Sequence, residues 1–176
     1  MESAPARNQG LFDRVFARAS LRRDGWFFLV VVAIIAADQF SKWLIRSGLD
    51  RGDSWPDGWH VRIVHFVNTG AAFGILQDSG PLLVVTSVVG VIALFIYLFN
   101  PSFAHPVVRV GLALMLGGAI GNLIDRLARG EVVDFLKVPH WPAFNVADSA
   151  ITIGVLCLLW AVLLMDVPGE QEKSSP

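Results

Sequence analysis

Charge is what this 176-residue chain has least of. Only 16% of its residues are Asp, Glu, Lys or Arg, and 54% are hydrophobic, whereas soluble domains average about 25% charged. The deficit leaves much of the surface to lipid rather than water. Net charge is −1, which excludes the basic footprint of a nucleic-acid binder. Cysteine is almost missing: Cys157 stands alone within ITIGVLCLLWAVLLM, so an intramolecular disulfide and a cysteine-based metal site are both excluded. It reads as a small apolar side chain. No H-E-x-x-H, G-x-S-x-G, Walker or GxGxxG pattern occurs. His60, His65, His105 and His140 are scattered, and no serine adjoins any of them in sequence. A zinc peptidase is therefore not expected.

Apolar runs are what the chain has in excess. Four of them, at 26–45, 81–99, 106–124 and 149–165, approach the ~20 residues a helix needs to cross ~30 Å of hydrocarbon. The first is too long for a cleaved signal peptide, carries Asp38 and Lys42, and has no small-residue cleavage site after it. The predicted fold class is an all-α membrane protein: a four-helix domain over 26–166, an Arg-rich tail over 1–25 and a short tail over 167–176. Arg7, Arg14, Arg18, Arg22 and Arg23 place the N-terminus in the cytoplasm, and four spans return the C-terminus there. Lys42, Arg46, Arg51, Arg62, Arg126, Arg129 and Lys137 weigh the other way, but the first span usually dominates. In the tail, Leu11, Val15 and Phe16 alternate with arginines, which fits a surface amphipathic helix and a disordered tail equally.

Between the first two spans, HVRIVHFV at 60–67 is rich in β-branched and aromatic residues and flanked by turn residues, so it reads as a strand or hairpin. The NPSFAHP connection is tight, with Pro101 and Pro106 as breakers. Up-and-down topology puts the end of span one, the first loop, the end of span three, the third loop and the start of span four on one side. Those places hold Asp38, Asn68, Asn122, Asp125, Asp134, Asn145 and Asp148. Asp38, twelve residues past Trp26, lies roughly 18 Å along its helix.

Each of these has a plain structural reading. Asp38 and Lys42 are i,i+4 and can pair on one helix face, although ionisable groups within a membrane are functional candidates by default. Ala113, Gly117 and Gly121 follow the small-xxx-small spacing of close helix packing. Asp125 and Arg126 can form an interface-level pair, with Asn122 three residues away adding a hydrogen-bonding group. Asp134, flanked by apolar residues in VVDF, reads as partly buried, which raises a carboxyl pKa. Asp148, before SAI, suits an N-cap. Taken together they leave carboxylates and amides gathered at one membrane face, and two carboxylates sharing a site divide into acid and base.

The motifs DQFSKWLI (38–45), VNTGAAFGIL (67–76), GGAIGNLIDRLARGEVVDF (117–135) and FNVADSAI (144–151) together resemble the bacterial lipoprotein signal peptidases (signal peptidase II). The resemblance covers nearly all of 26–166. It implies an intramembrane aspartyl endopeptidase of the bacterial cytoplasmic (inner) membrane, cutting diacylglyceryl-modified prolipoproteins just before the lipidated cysteine. It implies no cofactor, inhibition by globomycin-type cyclic peptides, and an active site near the outer face beneath a small extracytoplasmic β-strand platform between helices 1 and 2. By that likeness Asp134 and Asp148 are the catalytic pair. Asp38, Lys42, Asn68, Gly70, Asn122, Asp125, Arg126 and Asn145 shape the site or bind substrate. The protein is expected to act as a monomer among membrane lipids. Two departures stand out: a long Arg-rich tail, and a short FLKVPHWPAFNVA segment between the two aspartates. Outside this family, a proton relay through Asp38, Asp125 and Asp148 suits a transporter, and a scaffold would use the acids only as caps and clips.

Overall fold

A computed structural model describes residues 21–56, 58–70, 80–99 and 105–164. The proposed amphipathic tail, the AAFG part of VNTGAAFGIL, most of the NPSFAHP turn and the C-terminal tail lie outside the described residues. Among the described residues there are four helices: α1 (Leu21–Gly48), α2 (Gly80–Phe99), α3 (Pro106–Arg129) and α4 (Val146–Leu164). All four are long and apolar enough to cross a membrane. α3 starts with Pro106 at its first turn behind the N-cap His105, whose Nδ1 accepts from the Val107 N–H at 3.3 Å. It stops at Gly130, whose φ of 72° suits glycine and lets its N–H donate to the Arg126 carbonyl at 3.0 Å. Asp125 and Arg126 therefore sit inside α3, which runs past 124.

α3 is the central helix. Within its apolar window 44% of residues are buried in the protein, against 11–22% in the other three. Its small residues line two faces. A Cβ at Gly117 would lie 2.8 Å from Ile34 Cβ of α1, and one at Gly121 would lie 2.6 Å from Asp38 Oδ2. Gly118 abuts the Ala147 backbone of α4, and Gly111 meets the Gly154 carbonyl of α4. Without Cβ atoms the backbones close in, and dispersion and polar contacts do what hydrophobicity cannot do inside lipid. Phe27, Val31, Leu98, Leu112, Ala113 and Leu116 form an apolar core at one end of the bundle. Elsewhere residues such as Leu29, Val32, Val89, Val162 and Leu163 stay exposed, as lipid-facing positions should.

At the other end stands a three-stranded antiparallel sheet in the order β1 (Ser54–Trp55), β2 (Arg62–Asn68), β3 (Val132–Lys137). The platform thus includes a strand from the third loop as well as the expected first-loop pair. Val132 to Phe135 are all buried, so β3 shows no alternation to read in sequence. A register shift between Ile63 and Phe66 sets Phe66 opposite Asp134 and Asn68 opposite Val132. After β3 the chain turns back at once: Phe144 pairs with Leu136 through N–H···O bonds of 2.8 and 3.0 Å. This closure makes the segment between the two aspartates compact and delivers Asn145 beside β3.

Candidate active site

The start of α4 is held by a reciprocal cap. Asn145 Oδ1 accepts the Asp148 N–H at 2.9 Å, and Asp148 Oδ2 accepts the Asn145 N–H at 3.2 Å. This is a capping box built from Asn and Asp. The N-cap is therefore Asn145 and not Asp148, which sits in the first turn, and α4 begins at Val146 rather than 149. The difference frees the second oxygen of Asp148. Its Oδ1 accepts from Asn122 Nδ2 at 2.8 Å, and Asp148 lines a cleft of about 1190 Å³ between the sheet and the ends of α3 and α4.

Asp134 lines the same cleft and is 3% exposed. Asn145 Nδ2 donates to its Oδ1 at 2.7 Å, and Asn68 Nδ2 to its Oδ2 at 3.0 Å. Asn68 is itself fixed by the Gly70 N–H, which donates to its Oδ1 at 2.9 Å. Burial pushes the Asp134 carboxyl up to about 6, with the Asp148 charge adding to the rise. The two asparagine donors and the more distant Lys42 ammonium oppose it. The rise keeps the Asp134 carboxyl protonated to a higher pH than an exposed aspartate.

Asp125 is placed differently. It is fully buried, with Lys42 Nζ 2.8 Å from Oδ2, and Arg129 Nη1 at 3.3 Å and Arg46 Nη1 at 3.5 Å from Oδ1. Three cations thus surround its carboxyl group, where Asp134 meets two amides. Among the described residues Asp125 forms no ion pair with Arg126, contrary to the expected clip. The Arg126 guanidinium instead reaches Ser87 Oγ at 3.3 Å and lines the cleft. The Asp38–Lys42 pair is present at 2.8 Å, both side chains fully buried. Asp38 Oδ1 accepts the Ala147 N–H at 3.0 Å, so α1 satisfies a free donor of α4.

All ten expected positions thus gather at one end of the bundle, nine of them linked by hydrogen bonds or ion pairs and Arg126 at the edge on Ser87. Sequence reasoning missed Gln39, whose Nε2 donates to Asp38 Oδ2 and the Gly121 carbonyl at 3.2 and 3.1 Å. It also missed Arg46 and Arg129 as partners of Asp125. Their i,i+4 spacing from Lys42 and Asp125 was the available signal. Among the described residues no group of three His, Cys, Asp or Glu side chains is placed to share a metal ion.

A family model described as signal peptidase (SPase) II matches residues 30–164. The chain belongs to the signal peptidase II family. Lipoprotein signal peptidase of Moorella thermoacetica is 46% identical over 151 residues, 84% of this chain and 97% of that protein. The Brevibacillus brevis lipoprotein signal peptidase is 44% identical over 147 residues, 81% and 94% of the two chains. A bacterial membrane enzyme solved by the in meso method at 2.3 Å superposes with a TM-score of 0.76 at 33% identity, covering 86% of this chain and 95% of that one. The four-helix bundle with its small antiparallel sheet is thus a signal peptidase II fold. Membership makes the chain a multi-pass bacterial membrane protease of lipoprotein processing.

Proposed function

We propose that this signal peptidase II releases the signal peptide from diacylglyceryl-modified prolipoproteins, cutting just before the lipidated cysteine, with Asp134 and Asp148 as the dyad that activates water. One observation carries the reading: two carboxyl groups face one cleft, held by asparagine amides, and no ion pair engages either among the described residues. Amide donors orient a carboxyl group without placing a full positive charge against it, unlike the cations around Asp125. One carboxylate takes a proton from water as it attacks the scissile carbonyl. The other donates to the carbonyl oxygen and then helps the amine leave. The two titrate as a pair, so acid and base belong to the dyad and not to single residues.

Asp38, Lys42, Asn68, Gly70, Asn122, Asp125, Arg126 and Asn145 shape the site. The N-terminal (1–25) and C-terminal (167–176) tails lie in the cytoplasm, flanking the 26–166 peptidase domain, and the cleft opens near the outer face of the inner membrane. There the substrate's acyl chains stay in lipid while water reaches the peptide bond. The enzyme works as a monomer, and globomycin-type cyclic peptides occupy the same cleft.

The test is cleavage of a lipidated prolipoprotein by purified protein in detergent, read as a gel shift. Asp134→Asn and Asp148→Asn should stay folded and lose activity by about 10³-fold or more. Asp125→Asn should retain part of it. An Asp134→Asn protein that still cuts beside an inactive, folded Asp125→Asn protein would make the pair Asp125 and Asp148. A wild type that cuts nothing would end the reading.

A further inference from the structure

Lys42 has more polar company than charge balance requires. Its ammonium, fully buried, lies 2.8 Å from Asp38 Oδ2, 2.8 Å from Asp125 Oδ2 and 2.9 Å from Asn122 Oδ1. The first two contacts satisfy the charge. The third is to an amide that continues into the site. Asn122 Oδ1 also accepts from Asn145 Nδ2 at 3.2 Å, and Asn122 Nδ2 donates to Asp148 Oδ1 at 2.8 Å. The same Asn145 Nδ2 donates to Asp134 Oδ1 at 2.7 Å.

An asparagine amide has an accepting end and a donating end, and a half-turn about its last bond exchanges them. In an isolated protein the two flips often differ little in energy. Here they cannot be equivalent. With the oxygen toward α1, Asn122 accepts from an ammonium and from Asn145, and its NH2 meets Asp148. Flipped, its NH2 would face the ammonium and the Asn145 NH2, while its oxygen would face the Asp148 carboxylate. Every contact would turn repulsive in a setting with little water to screen it.

We propose that Lys42 is the positioning residue of the dyad: its ammonium locks the Asn122 amide so that one asparagine donor stays on Asp148 and the other, Asn145, stays on Asp134. The inference rests on the dyad reading above. It adds a direction of control, from a cation deep in the bundle, through one amide, to both carboxyl groups. The charged groups around Lys42 are Asp38 on its own helix, Asp125 on α3, which Arg46 and Arg129 also reach, and Asp134 on β3; Arg126 of α3 lines the cleft with Asp134 and Asp148 and interacts with both. The Lys42 charge is one of the groups that hold the Asp134 carboxyl down, so removing it moves that ionisation to higher pH.

The test is Lys42→Met combined with Asp38→Asn, which removes one charge of each sign and leaves Asp125 with Arg46 and Arg129. On a lipidated prolipoprotein, kcat should fall about 10–100-fold, the usual range for an orienting group behind the reacting residues. KM should hold within about twofold, and the pH profile should move upward. In an Asn122→Ala background the same double change should cost little more, because the amide it orients is gone. Lys42→Arg supplies a variant that keeps the charge and can keep both ion pairs. A planar guanidinium cannot serve three converging oxygens as a compact ammonium does, so kcat should fall while Tm stays near wild type.

A lowered Tm with unchanged kcat and pH profile would overturn the proposal, as would losses that multiply with Asn122→Ala. So would a folded Lys42→Arg enzyme of full activity. Asp134→Asn and Asp148→Asn run alongside. If they are inactive, the Lys42 results judge this inference alone; if they cut, the dyad reading falls and takes the inference with it.

Discussion

Replacing Asp134 by Asn should remove activity and yet help the fold at high pH. Burial lifts the Asp134 carboxyl from 3.8 to about 6. At about 1.36 kcal/mol per pH unit, ionising it in place costs roughly 3 kcal/mol that the unfolded chain does not face. The folded state keeps a proton that the unfolded state gives up between about pH 4 and pH 6. Stability therefore falls as pH rises through that window and is flat above it. Asparagine is neutral throughout and escapes the penalty. It has its own cost: Asp134 accepts from Asn68 and Asn145 on separate oxygens, and an amide offers one oxygen and a misplaced NH2. A buried donor left unmatched costs about 1–3 kcal/mol at any pH. Asp134→Asn should therefore trail wild type at pH 4 and gain roughly 3 kcal/mol on it by pH 8. For a chain of this length that is a swing of about 6–12 °C in relative Tm. Thermal unfolding in detergent at stepped pH reads it directly. A constant offset across pH, or a swing of opposite sign, would refute the reasoning.

The same raised carboxyl governs rate: kcat/KM should fall on the alkaline side with an apparent pKa near 6, belonging to the pair, and a flat profile from pH 5 to 9 would contradict it. Asn145→Ala deletes the α4 cap and a donor to Asp134, so it should lower stability by about 1–2 kcal/mol and reduce cleavage in the same protein; an unchanged Tm would count against the capping box. Gly118→Val drives a side chain into the Ala147 backbone at the first turn of α4 and should abolish the folded fraction, whereas Gly90→Ala, with nothing within 4 Å, should leave yield and Tm near wild type.

Much of this was legible in the sequence because lipid is a demanding solvent. A span must be long and apolar, so four runs gave four helices, with ends displaced by up to five residues. The gathering of acids and amides at one end followed from counting spans. What hid was anything set by the third dimension. Asp125 and Asp134 each follow apolar residues along the chain, and what separates them is their surroundings: three cations in one case, two amides in the other. β3 was invisible because both of its faces are buried, leaving no period to detect. The cap was assigned to Asp148 because Asp and Asn both suit that role, and only the backbone path after Phe144 places Asn145 first. The glycines toward α4, Gly111 and Gly118, fell outside the Ala113, Gly117, Gly121 spacing, whose glycines meet α1.

The Asn145–Asp148 cap has a consequence for biogenesis. The carboxyl groups of Asp134 and Asp148 take side-chain donors from Asn68, Asn122 and Asn145, segments that leave the ribosome at well-separated times. Asp148 belongs to the last span to be inserted, and Asn145 serves it and Asp134 together. A nascent chain short of its fourth helix lacks one carboxyl group outright and holds the other with half its donors. With Asp134 and Asp148 as the proposed dyad, the site is completed only by the last span, so cleavage should begin in the step that completes the fold.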